Sequence, residues 1–236
     1  MEGPFNDPDI PDGERTAYRG RVGGDEVATA EVLVERSGEG DRAFYRQSVL
    51  AHVGGRLEVR AETTFRRRSG SIHAETHEMT TLDRDAAPVA VESARFRGVK
   101  VLQWGAGLEP YPRDLTPLVG CVTALRGLDF EAGARRGFSV WLASSVYWTA
   151  EARVERLERI DLPARKMRAW RVPVRPNFEE IDRALDGLIQ TLVPPVVFHF
   201  DADPPHRLLR AEFPSGPFSW NPPGVIEATE LGSGGA

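Results

Sequence analysis

The sequence predicts an α+β domain, mostly β, built on one long curved antiparallel sheet. Three observations carry that expectation. Glycine and proline, 23 and 18 of the 236 residues, recur at short intervals between segments whose apolar residues alternate with period two. Short loops divide residues 28–78 into strands whose proposed registers agree on which face is apolar. Helical periodicity is confined to two stretches.

Along the chain, residues 1–15 are rich in Pro, Asp and Gly and read as a flexible lead, with 232–236 a matching tail. Residues 16–231 read as a single β-rich domain. Two-residue loops at Gly54-Gly55 and Ser69-Gly70 suit hairpin turns that need positive φ. The first sets Arg46 opposite Thr63, Ser48 opposite Ala61 and Leu50 opposite Val59. The second sets Thr63 opposite Thr76 and Phe65 opposite Ala74. A longer loop at Ser37–Asp41 adds the preceding strand. The expected inner face carries Ala28, Val32, Val34, Phe44, Leu50, Leu57, Val59, Phe65 and Ile72. The outer face carries Glu31, Gln47, Glu58, Arg60, Glu62, Arg66, His73, Glu75 and His77.

A helix is expected over 113–126, with Leu115, Leu118, Val119, Val122 and Leu125 at helical spacing. A second is expected over 178–193. There Asn177 caps, Glu180 sits where a capping-box acid would, and Pro194-Pro195 stops the helix. Its Ile181, Leu185, Leu188 and Leu192 form a stripe that would plug the concave face. Strands are expected near 137–149, 151–162, 166–174, 196–201, 206–213 and 224–231.

Thirty basic against thirty-five acidic side chains give a net charge of −5 and a pI near 5.6, which argues against a protein built to neutralise a phosphate backbone. The lone Cys121 excludes an internal disulfide. No apolar run approaches the ~18 residues of a membrane-spanning helix. The first fourteen residues lack a basic stretch followed by an apolar one, so with Met1 as the natural start the chain is expected in the cytoplasm; a trimmed export signal would place it outside.

Three segments in order carry a resemblance: LRGLDFEAG (Leu125–Gly133), VERLERIDLPARKMRAWRV (Val154–Val172) and FHFDADPPHRLLRAEFPSGPFSWNPPGVIEATEL (Phe198–Leu231). Their succession resembles a bacterial family of unknown-function domains, usually exported, that look like the lipoprotein-localisation (LolA-like) half-barrels. Leu162-Pro163-Ala164-Arg165 occupies the family's turn and His199–Arg207 its penultimate strand. The resemblance spans residues 16–231. It implies a curved sheet around a helix-plugged apolar cavity with lipid-like cargo, and it brings no catalytic residues and no cofactor.

The residues themselves name no reaction. His73, Glu75 and His77 would alternate onto one strand face at a spacing from which zinc sites can be built, but the expected register turns that face to solvent as a cross-strand charge ladder. Asp201-Ala-Asp203 before Pro204-Pro205 reads as a turn closed by its own side chains. Ser144-Ser145 lacks a nucleophile elbow, Gly105-Ala-Gly107 lacks a following helix fingerprint, and Cys121 reads as a packed thiol. Arg66-Arg67-Arg68 adjoins a turn as a solvated loop end. More unusual are the polar residues assigned to the inner face: Arg46, Ser48, Thr63, Thr76 and Glu78, with His52 near the Gly-Gly turn. Together with Trp104, Tyr111, Trp141, Trp148 and Trp170 they suggest a pocket with a polar end. The leading expectation is a non-catalytic protein that binds or carries an apolar or amphipathic small molecule. The alternatives are a cofactor-free isomerase, cyclase or hydratase using Glu78 or His52 as its proton-transfer group, and a partner-binding module with an outer apolar patch at Leu33, Tyr45, Val49 and Val53.

Overall fold

The computed structural model describes residues 5–97, 100–103, 106–108, 112, 115–143, 146–176, 194–216 and 221–232. Strands dominate it. The amino-terminal half holds β1 (Phe5–Asn6), β2 (Glu14–Val22), β3 (Asp25–Ser37), β4 (Phe44–Val53), β5 (Leu57–Arg68), β6 (Ser71–Leu82), β7 (Pro88–Arg97), β8 (Lys100–Gln103) and β9 (Ala106–Leu108). Beyond these come β10 (Leu115–Pro117), α1 (Cys121–Ala124), β11 (Arg135–Ala143), β12 (Val146–Arg153), β13 (Arg156–Asp161), β14 (Lys166–Pro176), β15 (Val196–Asp201), β16 (Leu208–Pro214) and β17 (Pro223–Gly232).

These strands join one sheet in the order β1-β10-β11-β12-β13-β14-β15-β16-β17-β2-β3-β4-β5-β6-β7-β8-β9. The registered pairings are antiparallel, except β10 with β11. Besides neighbouring β10, β1 also pairs with β6, Phe5 opposite Ile72, so the sheet curls far enough for its ends to meet across a two-residue strand. β7, β8 and β9 run on past that junction. The strands expected at 151–162, 166–174, 196–201, 206–213 and 224–231 are present with shifted ends. The segment expected at 137–149 divides into β11 and β12.

The helix expected over 113–126 is shorter. Leu115–Pro117 form a strand, and only Cys121–Ala124 are α-helical, followed by a 3-10 turn at Leu125–Gly127. Pro117 disfavours helical backbone in Thr116 before it, and the extended segment finds partners in β11, Leu115 opposite Ser139. Helix 178–193 lies outside the described residues.

The expected lead-in is also corrected. Phe5 and Ile10 are buried, the Asp7 amide donates to the Gly70 carbonyl, and the Ile10 amide donates to the Tyr45 hydroxyl. Residues 5–15 therefore belong to the fold.

Two registers differ from expectation, and both matter for the faces. The β4–β5 loop holds three residues, Gly54-Gly55-Arg56, so Val53 faces Leu57 and Arg46 faces Thr64 rather than Thr63. Because side chains alternate with period two, that single extra residue turns β4 over. Tyr45, Gln47 and Val49 point to the core, while Phe44, Arg46, Ser48 and Leu50 lie on the opposite face. In β6, Phe65 faces Ala74 as expected, but Thr64 faces Thr76 and Thr63 faces His77. Glu75 is the extra residue of a bulge, and beyond it the strand's alternation reverses. Ile72 and Ala74 face the core below the bulge, and His77 does so above it.

The described residues inside the curl form a packed apolar core. Phe5, Ile10, Tyr45, Phe65, Ile72, Leu125, Trp141 and Phe200 are essentially inaccessible, with Phe5 set edge-on to Phe138 and Phe96 to Trp141. Among them lies a buried ion cluster. Arg126 grips Glu14 with both guanidinium ends, at 2.6 and 3.0 Å, and donates from Nε to the Pro205 carbonyl at 2.8 Å. Arg207 reaches the second Glu14 oxygen at 3.0 Å. The Glu14 and Arg126 side chains are 2% and 3% exposed. Next to them, Gly127 is pressed onto β1: a Cβ there would lie 2.0 Å from the Asn6 carbonyl oxygen.

Removing one partner of a buried pair leaves a charge stranded, at a cost of about 3–5 kcal/mol. Glu14→Ala is expected to destabilise the domain by that amount in urea unfolding. Lys166→Ala, which removes only the exposed pair with Asp161, is expected to cost less than about 1 kcal/mol. Equal effects would show that the buried cluster is not what holds these segments.

Candidate functional site

The register shifts redistribute the residues that the sequence grouped. Arg46, Ser48, Thr76 and Glu78 do share a face, but it is the outer one. Arg46 and Glu78 are exposed, Ser48 and Thr76 half-buried, and the Arg46 guanidinium lies 3.5 Å from Glu62. Thr63 is parted from them and completely buried. His52 is exposed, 3.8 Å from Glu58. Trp141 is a core residue, Trp170 is half-buried near Phe130, and Trp148 is 51% exposed. Trp104 and Tyr111 lie outside the described residues, as do Gly105, Ser144 and Ser145. The expected outer patch also divides: Leu33 is on the outer face, and Tyr45, Val49 and Val53 are on the inner one.

What assembles instead is a groove on the outer face of β3–β6. A coiled antiparallel ribbon is locally concave, and here it forms an open, shallow groove of about 510 Å³. Ser48 and Glu78 line it, as the sequence proposed for a pocket, together with Glu31, Leu33, Leu50, Arg60, Glu62 and Thr80. The registers explain the grouping. Leu33, Ser48, Glu62 and Glu78 form one cross-strand row, and Glu31, Leu50, Arg60 and Thr80 form the next. The second row continues to Val91 on β7, which is exposed, as is Leu50. Most of the groove's charges are balanced locally: Glu31 pairs with Arg15, Arg60 with Glu58 and Glu62 with Arg46. Sequence reasoning had placed Leu50 inside and Arg60 and Glu62 on the opposite face, because only the length of the Gly-Gly loop decides that they are neighbours.

The inner face holds a smaller polar cluster, buried and closely packed. The Thr63 hydroxyl and His77 Nδ1 share a hydrogen bond of 2.9 Å, and the His77 ring stands edge-on to Trp141 at 5.6 Å. Gln47 donates from Nε2 to the Val119 carbonyl at 3.0 Å. Gly120 packs so tightly that a Cβ would come within 2.9 Å of the Phe65 ring. Burial pushes the His77 imidazole down to about 4, so it is neutral near pH 7.

The bulge separates the three residues of the possible zinc ladder. His77 turns inward, correcting the expectation that it faces solvent, while Glu75 accepts two hydrogen bonds from Arg66 at 2.7 and 2.8 Å. No group of three or more His, Cys, Asp or Glu is placed to hold a metal among the described residues. Asp201 accepts from the Asp203 amide at 3.3 Å, a self-closed turn. Burial pushes the Cys121 thiol up to about 12, which keeps it from acting as a thiolate nucleophile.

The buried imidazole generates a pH dependence with a definite sign. Unfolded His77 takes up a proton near pH 6.5, whereas the folded residue resists doing so until about pH 4. Folding stability should therefore fall as pH drops through that window, by on the order of 3 kcal/mol for this residue. His73, His199 and His206 are also pushed down by burial and act in the same direction. Urea unfolding at pH 7.5 and 5.0 measures the loss, and His77→Gln is expected to remove a substantial part of the slope. Identical slopes in the two proteins would overturn this account.

No family model and no curated protein matches the chain. Solved structures do. A β-barrel-like protein of the domain of unknown function DUF1849 from Brucella abortus aligns over 95% of this chain and 98% of its own, at a TM-score of 0.52 and 11% identity. A protein described as exported, with a YmcC-like fold, from Bacteroides fragilis aligns over 97% and 99%, with a TM-score of 0.36 and 8% identity. One described as a lipoprotein from Parabacteroides distasonis aligns over 98% and 100%, with a TM-score of 0.32 and 9% identity. At such identities the first likeness concerns the fold: a curved, barrel-like β domain shared with a bacterial protein of unknown function.

Proposed function

We propose that this chain is a non-catalytic binding domain whose outer groove across β3–β6 holds an apolar or amphipathic small molecule. The observation that carries the reading is the composition of that groove. Leu33 and Leu50 offer apolar surface within a concavity of about 510 Å³, and Val89 and Val91 extend it onto β7 as exposed aliphatic side chains. Glu31, Arg60, Glu62 and Glu78 supply charge along the same rows. An apolar concavity with a few placed polar groups is the usual form of a small-molecule site, and contiguous exposed apolar surface on a soluble domain calls for a partner. The sequence resemblance to the lipoprotein-localisation half-barrels implies cargo of the same apolar kind, although the seat proposed here is on the outer face rather than inside the curl.

A catalytic use of Glu78 or His52 is less well supported. Both side chains are exposed, whereas a general base that works on a reactive carbon skeleton needs water excluded around it.

The test is native mass spectrometry of protein purified without detergent, followed by titration with the fluorescent amphipath 1-anilinonaphthalene-8-sulfonate. Wild type is expected to bind the probe or to carry a co-purified mass. The double variant Leu33→Glu/Leu50→Glu is expected to weaken binding by about tenfold or more with only a small loss of melting temperature, since Leu50 is exposed and Leu33, half-buried, lies on the outer face away from the core. Absence of bound mass and probe binding in the wild type, or undiminished binding in the double variant, would overturn the groove as the seat.

A further inference from the structure

At the other end of the same ribbon lies a second concavity with different chemistry. Where the β3–β4 loop, the β5–β6 turn and the amino-terminal segment meet, a hollow of about 310 Å³ is lined by Arg36, Arg67, Arg68, Asp7, Ser69 and Gly70, among others. Three guanidinium groups and the Asp7 carboxylate line it, and a second carboxylate, Asp9, reaches Arg36 and Arg67 from beside it. We propose that this hollow is a binding site for a phosphate or phosphate-ester group, independent of the outer groove.

Asp7 offsets one of the three positive charges, that of Arg67, and in doing so it builds the hollow. Its Oδ1 accepts from the Tyr45 hydroxyl at 2.6 Å and from the Asp9 amide at 3.1 Å, and its Oδ2 accepts from Arg67 Nε at 2.6 Å. Burial alone would raise the Asp7 carboxyl, but the bonds from Tyr45 and Arg67 hold it below the usual carboxylate range. Arg67 is thereby fixed, 14% exposed, with its guanidinium 5.0 Å above the Tyr45 ring. A guanidinium held from behind by a carboxylate and an aromatic face is pre-organised, so little rotamer entropy remains to be lost when an anion binds.

The remaining cationic capacity is only loosely taken. Asp9 lies 2.7 Å from Arg36 Nη1 and 3.6 Å from Arg67 Nη2, but it is 77% exposed, and exposed ion pairs contribute about 0–1 kcal/mol. Its backbone sits in the left-handed region at φ 49, which places the carboxylate over both arginines as a tethered monoanion. Arg68 is exposed and has no ion-pair partner among the described residues. Ser69 and Gly70, at φ 51 and 77, form the turn that brings Arg68 and the Ser69 hydroxyl to the rim. A phosphoryl dianion offers several acceptor oxygens to these forks and satisfies them better than one swinging carboxylate. Asp9 then acts as a competitor that the ligand displaces.

Two sources share this chemistry, free phosphate compounds and a phospholipid headgroup, and the test separates them. Titration with inorganic phosphate at ionic strength matched with chloride, followed by phosphorus NMR line broadening, reads the first. Co-sedimentation with vesicles of phosphatidic acid in phosphatidylcholine, against phosphatidylcholine alone, reads the second. Asp9→Asn is expected to tighten binding severalfold in either arm, because it removes the competing charge while asparagine tolerates the left-handed backbone. Arg36→Gln/Arg68→Gln, at exposed positions, is expected to weaken binding by about tenfold or more, with the melting temperature unchanged. Arg60→Gln, in the outer groove, is expected to change nothing. Failure of both wild type and Asp9→Asn to bind in either arm, or equal binding by the double arginine variant, would overturn the site without touching the groove.

Discussion

The buried contact of Glu14 with Arg126 and Arg207 decides more about this molecule than any apolar pair. Hydrophobic burial fixes which face of a strand turns inward but discriminates less between registers two residues apart, which keep every side chain on its face. A carboxylate sealed from water has no such freedom. Both Glu14 oxygens are met by guanidinium groups, and Arg126 gives its remaining Nε–H to the Pro205 carbonyl. Three segments far apart in sequence must therefore converge: the start of β2, the 3-10 turn after α1, and the turn between β15 and β16. Once that turn is held, Gly127 presses against the backbone of β1, and β1 is the strand that links β6 to β10. The curl of the sheet thus follows from one satisfied charge cluster and one missing side chain.

Among the described residues, the inner face carries polar members packed into the apolar core. Gln47, Thr63 and His77 are buried by register; Thr63 and His77 bond each other, and Gln47 donates from Nε2 while its Oε1 has no partner among the described residues. Trp141 and Phe96 pack edge-on in the same region. An imidazole there stays neutral because charging it would cost solvation that no nearby carboxylate returns; burial is the one cause that shifts it. The polar face that the sequence appeared to enclose is turned outward, where Arg46, Ser48, Glu62 and Glu78 meet water and frame the groove.

The β3–β6 ribbon consequently presents two unlike concavities. One, near its Gly-Gly loop, mixes leucines with charges of both signs. The other, near the Ser69-Gly70 turn, is lined by arginines and braced by the amino-terminal segment. Long antiparallel strands make this separation possible, since at about 3.3 Å per residue a strand the length of β5 carries its two ends tens of ångströms apart.

Much of the architecture was determined by sequence alone, because it depends on local chemistry. Glycine and proline punctuation located the strands of the second half within a few residues, and the meander from β3 to β6 followed from its short loops. The polar character of Glu31, Arg60, Glu62 and Arg66 sufficed to put them outside. Tertiary structure decided the rest, and the reason is the period of two. One additional loop residue at Arg56 and one bulged residue at Glu75 each reverse every side chain beyond them, and neither leaves a mark in composition or alternation. Leu115–Pro117 likewise became a strand because β11 supplied hydrogen-bond partners that no local propensity could announce. Phe5 and Ile10 were buried because the curl brought a surface to cover them. The groove combines residues from four strands, so its membership was settled only when the registers were.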